Sequence, residues 1–221
     1  MVFSLYNIGL AEYYSNIAFT ELKTFKTIKH TPSDIPADLC THIVYAFAKI
    51  PQGKNRLEPV EWNDISVLYP EVMALKHQNP KLKITLAVGG WNHGTAPFTA
   101  MVSTKDNRTK FISNAISYLR EHGFDGLDLD WEYPGKNGSP AEDKTKFAKL
   151  CEELKAAFIE EGEATNRERL ILTAAVSAGK STIDTAYDVG RLKNALGTFR
   201  YIISYKKYLL ISECNNNILL A

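Results

Sequence analysis

FDGLDLDWEYPG, residues 124–135, places four carboxylates, Asp125, Asp128, Asp130 and Glu132, within eight residues of otherwise apolar and aromatic sequence. Side chains alternate faces along a strand. As a strand, this stretch shows Gly126, Asp128, Asp130 and Glu132 on one face and Leu127, Leu129 and Trp131 on the other. Buried charge without partners is costly, so a core strand does not crowd three carboxylates together without a use for them. Catalysis is such a use, because neighbouring like charges drive pKa values apart and hold one acid protonated near neutral pH. The stretch reads as an active site. Asp130 and Glu132 lie about 6.5–7 Å apart between Cα atoms on one strand.

Outward from the motif, strand-sized apolar runs alternate with amphipathic helices. Thr41–Ala48 (THIVYAFA), Lys83–Val88 (KITLAV) and Leu170–Ser177 (LILTAAVS) read as buried strands. Trp62–Gln78 carries Ile65, Leu68, Val72 and Leu75 at helical spacing, with Asn63 or Asp64 as cap and Pro70 marking a kink or a later start. Ser103–His122 reads as a helix with Phe111, Ala115, Ile116 and Leu119 as its stripe, Ser103 as cap and Gly123 as stop. Ala141–Glu161 reads as another, with Phe147, Leu150, Cys151, Leu154 and Phe158 on one side and Gly162 as stop, and Thr182–Leu196 as a third. Residues 1–30 show no clear period, and PGKNGSP (134–140) is a glycine-rich loop. Strand–helix alternation predicts a parallel α/β sheet, with unusual residues in the loops after the strands. No GxGxxG opens a helix after a strand, which disfavours a dinucleotide fold and favours a barrel.

The 221 residues are 45% hydrophobic and 23% charged with net charge +1, so bulk electrostatics draws the chain to neither nucleic acid nor an anionic membrane. No apolar run is long enough to span a bilayer, and the start, MVFSLYNIGLAEYYSN, is a poor signal peptide. Cys40, Cys151 and Cys214 lack metal-ligand spacing, and Cys151 falls on an apolar helix stripe, as a buried free thiol does. His42, His93 and His122 also lack metal spacing and read as surface or satisfied loop residues, and Lys206 and Lys207 as a solvated pair.

Asp125-Gly-Leu-Asp128-Leu-Asp130-Trp-Glu132 resembles the DxxDxDxE signature of glycoside hydrolase family 18. THIVYAFA (41–48), LAVGGWNHGTAPF (86–98) and LTAAVSAG (172–179) resemble consecutive strands of the animal chitinases in that family, so the similarity runs over 31–196. The resemblance implies a single catalytic-domain fragment spanning 1–221, an incomplete (β/α)8 barrel of five to six βα units with divergent ends at 1–30 and 197–221. It implies retaining, substrate-assisted hydrolysis of β-1,4-linked N-acetylglucosamine polymers without metal or cofactor. Glu132 would be the general acid, Asp130 would orient the substrate's acetamido group, and Asp128 behind it would set proton affinity. Asp125, out of phase, would be structural. Trp91 would stack on a sugar ring, Tyr133 and Phe47 match positions lining the cleft, and Gly90, with Gly89, lets the backbone turn there. On the residues alone, Trp91 also reads as core, and Phe47 sits in an apolar run. The partner implied is chitin or chitooligosaccharide, bound by a monomer outside the cell.

The chain also departs from the family. The relatives' first strand supplies a cysteine that pairs near Cys40, and residues 1–25 contain none. Past Leu196 the relatives carry a methionine, a serine or threonine, a tyrosine and an aspartate at a strand end, whereas this chain reads FRYIISYKKYLL (199–210). Ser204 and Tyr205 echo that motif, with Lys206 where the aspartate belongs. Truncation at both ends is the expectation. A chitin-binding, non-cleaving lectin is the alternative, although such lectins typically lose the glutamate that Glu132 retains.

Overall fold

The computed structural model describes residues 32 and 35–196, and the backbone of four flanking strands. Those strands are β1 (Val2–Tyr6), β2 (Ala18–Phe19), β8 (Thr198–Tyr205) and β9 (Tyr208–Glu213). Between them lie β3 (His42–Lys49), β4 (Glu58–Pro59), β5 (Lys83–Gly89), β6 (Gly126–Asp130) and β7 (Ile171–Ser177). The helices are α1 (Tyr69–Ala74), α2 (Ala96–Val102), α3 (Lys105–Glu121), α4 (Asp143–Thr165), α5 (Lys180–Ala186) and α6 (Val189–Ala195).

One sheet runs β2-β1-β3-β5-β6-β7-β8-β9. Its middle, β3 to β8, is parallel, as the apolar runs predict. Its margins differ from the all-parallel expectation: β1, β2, β4 and β9 pair antiparallel. Among the described strands the sheet keeps two edges and does not close into a barrel.

Alternation along the central strands sorts the two faces. Ile84, Leu86 and Val88, then Leu127, Leu129 and Trp131, then Leu172, Ala174 and Val176 point outward into the core beneath the helices. Phe98, Met101, Phe111, Leu119, Phe147, Leu150 and Phe158 close that core from the helix side. Trp131 shows how tightly the layers meet, stacked on Phe98 at 4.9 Å and edge-on to Phe147 at 5.9 Å. Val44, Ala46 and Ala87 form a separate small cluster on the inner face.

Several boundaries shift for local reasons. In the Trp62–Gln78 segment Pro70 sits in the first turn of α1, because its missing N–H is harmless there. The residues before it form a π-helical turn, Asp64–Leu68, that leaves Ile65 exposed rather than in the stripe. Asp64 accepts from the Val60 and Glu61 N–H groups and from the Tyr45 hydroxyl instead of capping. Thr104, not Ser103, caps α3, accepting from the Asn107 N–H at 3.1 Å. Gly123, at φ +78°, lies just past that helix. Gly162 does not stop α4, which runs on to Asn166 in the left-handed conformation. Thr182–Leu196 divides into α5 and α6, with Asp188 capping the second. Cys40 and Cys151 are buried and free. Cys214, Lys206 and Lys207, and the side chains of Ser204 and Tyr205, lie outside the described residues.

Candidate active site

The inner face of β5–β7 is narrow-shouldered and acidic. Register places Ala87 and Thr173 on either side of Asp128, and Gly89 beside Asp130. Asp128 is fully buried, and its Oδ1 accepts from the Thr173 hydroxyl at 2.5 Å. Asp130, the last residue of β6, is 7% exposed. Glu132 stands two residues past the strand end and is half-buried. The three carboxylates thus climb from the sheet interior to its carboxyl-terminal mouth.

Burial raises the Glu132 carboxyl above its ordinary value, and a hydrogen bond from Tyr133 pulls the other way. Burial and the neighbouring Glu132 push the Tyr133 phenol up to about 12, with Ser177 bonded to it in opposition. Tyr187, buried against Tyr133 and Phe147, is raised well above the usual phenol range by burial, then by Tyr133 and Asp130. A carboxyl raised by burial with a second carboxylate deeper in the same face is an arrangement suited to general acid–base chemistry.

Asp125 lies apart, at the start of the strand. Its Oδ2 accepts from the Ile84 N–H at 2.6 Å and pairs with Lys76 at 2.7 Å, so it ties β5 to β6.

The aromatic residues flank the acidic mouth. Gly89 and Gly90 have φ +117° and +85°, and the Gly90 N–H donates to the Asp130 carbonyl at 2.8 Å. Trp91, immediately after, is 66% exposed and not part of the core. Phe47 occupies a register irregularity between Ala46 and Ala48 and packs, half-buried, against the inner cluster. Such a bulge re-aims a side chain. That explains how a residue within an apolar run reaches the inner face beside Gly90, whose added Cβ would lie 2.9 Å from its ring.

Three inner-face groups escape a reading by motif: Thr173, Ser177 and Tyr187. Register identifies Thr173 beside Asp128, alternation along β7 puts Ser177 on the same face, and only the path of the chain after β7 brings in Tyr187. His93 is a satisfied loop residue, its Nε2 accepting from the Ile50 N–H at 3.0 Å. Among the described residues no group of three or more His, Cys, Asp or Glu side chains is arranged to hold a metal ion, and no helix is long and apolar enough to cross a membrane.

A mostly parallel α/β sheet with carboxylates and an exposed tryptophan at its carboxyl ends has the architecture of a barrel-type glycosidase. The chain belongs to the family "Glycosyl hydrolases family 18", whose model matches residues 10–209. It is 47% identical over 171 residues to "Chitotriosidase-1" of Mus musculus, covering 77% of this chain and 36% of that one. It is 47% identical over 193 residues to "Oviduct-specific glycoprotein" of Sus scrofa, covering 87% and 36%. Among solved structures, an immunomodulatory active chitinase from Trichuris suis superposes with TM-score 0.74 at 46% identity, over 78% of this chain and 45% of that one. A human pseudo-chitinase "with retained chitooligosaccharide binding properties" gives 0.71 at 38%, over 78% and 45%. The chain therefore spans about a third of its curated relatives' length, 36% in both cases.

Proposed function

We propose that the protein carries the acid half of a retaining, substrate-assisted chitinase site acting on β-1,4-linked N-acetylglucosamine polymers. The observation that carries this reading is Glu132, a carboxyl held toward its protonated form by burial at the strand mouth. Glu132 donates its proton to the glycosidic oxygen. The substrate's own acetamido oxygen attacks the anomeric carbon, and Asp130 orients that acetamido group and balances the positive charge of the oxazolinium ion formed. Water then opens this ion with Glu132 acting as base. Asp128, fixed by Thr173, backs Asp130, and Trp91, Tyr133 and Phe47 border the sugar path. In this reading the protein is a monomer outside the cell.

The test is hydrolysis of a fluorogenic chitotrioside by the purified protein beside Glu132→Gln. Turnover that the variant loses by about 10²–10⁴-fold fits a general acid. Turnover that survives in Glu132→Gln refutes the assignment. The likeness to a pseudo-chitinase supports a second reading, binding without cleavage. Chitin pull-down with no turnover from the wild type selects it.

A further inference from the structure

The buried carboxylate of Asp143 lies off the inner face, and Lys146, which also pairs with Glu142, is its link to the surface. It is the first residue of α4, with its side chain wholly out of solvent. Acidic residues in a first helical turn ordinarily serve that helix's own free N–H groups or its dipole. The Asp143 Oδ2 instead accepts from the Thr99 hydroxyl of α2 at 2.6 Å and from the Ser139 hydroxyl at 2.8 Å. Its Oδ1 meets Lys146 Nζ at 3.3 Å.

Ser139 passes the contact on. Its Oγ accepts from the Gly135 N–H at 2.9 Å, closing the 135–139 loop that follows Glu132 and Tyr133. The loop is otherwise difficult to hold in one conformation, since Gly135, Asn137 and Gly138 have φ of +76°, +53° and +91°. Further ties act on the same turn. The Thr95 hydroxyl donates to the Asn137 carbonyl at 3.2 Å, and the Asn137 amide donates to the Glu132 carbonyl at 3.3 Å. The Lys136 N–H donates to the Tyr133 carbonyl at 3.0 Å.

We infer that Asp143, acting through Ser139, is a positioning residue that fixes the loop behind Glu132 and keeps the Glu132 carboxyl sheltered at the strand mouth. The inference rests on reading Glu132 as the general acid. The pair with the partly exposed Lys146 adds little net stability, so the buried carboxylate is better explained by the conformation it selects. Titratable groups around Glu132 are Asp130 from β6, the adjacent Tyr133, and Tyr187 from the segment after α5. Asp130 and Tyr187 belong to other elements, and Tyr133 belongs to the turn itself, so a shift in Glu132 reports the loop.

The experiment compares Asp143→Asn and Ser139→Ala with the wild-type full chain. It measures the Glu132 titration midpoint by ¹³C carboxyl NMR, assigned by difference from Glu132→Gln, together with the pH profile of chitotrioside turnover and the Tm. A loosened loop admits water to Glu132 and removes part of the burial that raises it. The expected result is a midpoint lower by about 0.5 pH unit or more in both variants, with the alkaline limb of turnover moving the same way. A fall in Tm with an unmoved midpoint overturns the proposal and leaves Asp143 as an anchor of α4. If Asp143→Asn does not fold, Ser139→Ala decides, because it removes a single hydroxyl. A shifted midpoint in a protein without turnover upholds the positioning role and refutes the general-acid reading. An unmoved midpoint in an active protein refutes the positioning role alone.

Discussion

Gly89→Ala is the most demanding test of how the site is built. An ideal Cβ on Gly89 would lie 2.0 Å from the Asp130 carbonyl oxygen and 3.0 Å from the Phe98 ring. An ordinary carbon–oxygen contact is about 3.3 Å, so the two strands must part by roughly 1.3 Å at that point. The obstacle is backbone: the same carbonyl accepts the Gly90 N–H at 2.8 Å, and Phe98 is held in its stack with Trp131. Added to this is the φ of +117°, which a residue with a Cβ adopts only under strain of about 1–3 kcal/mol. The total falls above the usual overpacking range, at about 4–5 kcal/mol. Gly90→Ala is the matched control. Its φ of +85° brings similar strain, but its Cβ meets only the Phe47 ring, at 2.9 Å, and a half-buried ring can swing away. Urea unfolding followed by fluorescence measures both. Gly90→Ala should lose about 1–3 kcal/mol, and Gly89→Ala about 2 kcal/mol more or fail to fold. Equal losses in the two variants would show that the Gly89 approach to Asp130 is not what confines this corner.

Other outcomes follow from the same contacts. Tyr133→Phe removes a hydrogen bond that favours the ionised form of Glu132, so the carboxyl rises further. Because a general acid works only while protonated, the alkaline limb of kcat moves to higher pH, and movement to lower pH contradicts the assignment. Thr173→Val takes a donor from the buried Asp128. At about 2 kcal/mol for a hydrogen bond to a charge, Tm drops by roughly 4–8 °C in differential scanning calorimetry. Trp91→Ala, at a position 66% exposed, leaves Tm within about 1 °C while weakening chitotriose binding about tenfold by calorimetric titration, and a large fall in Tm instead would make Trp91 a packing residue.

What was readable from the sequence followed from short-range pattern. THIVYAFA, KITLAV and LILTAAVS are strands because runs buried on both faces need no polar alternation, and all three form as β3, β5 and β7. The 124–135 stretch revealed its acidic face because the strand period of two holds through Asp130. Readings based on one residue fared less well. Gly162 looked like a stop, but it lies where α4 meets the Arg167–Arg169 backbone, so its lack of a side chain serves a close approach rather than a turn. Phe47 was legible only through the family resemblance, because one irregular residue changes which face it joins and nothing in an apolar run marks that residue. Thr173 and Tyr187 depend on pairings across 45 residues or more, as the Thr173–Asp128 bond shows, and no local period encodes those.

The small residues on the inner face explain why this sheet tolerates so much acid. Beside Asp128 in register stand Ala87 and Thr173, and beside Asp130 on β5 stands Gly89, so none of these register neighbours carries a charge. Ala87 and Thr173 are also small, whereas the outward face at the same levels is filled by Leu86, Val88, Leu127 and Leu129. Exposure rises along the series, from a wholly buried Asp128 through Asp130 at 7% to a half-buried Glu132. On the proposed reading, a polymer passing over the mouth meets Glu132 and an acetamido group reaches Asp130, while Asp128 is wholly buried. The gradient fits the proposed division of work, in which the outermost carboxyl handles the proton, the middle one the charge that develops on the substrate, and the innermost, bonded to Thr173, supports the middle one. On that reading a larger residue at Ala87, beside Asp128 in register, disturbs the support beneath Asp130 and should lower kcat for chitotrioside more than it raises KM, and a KM effect alone would contradict the supporting role of Asp128.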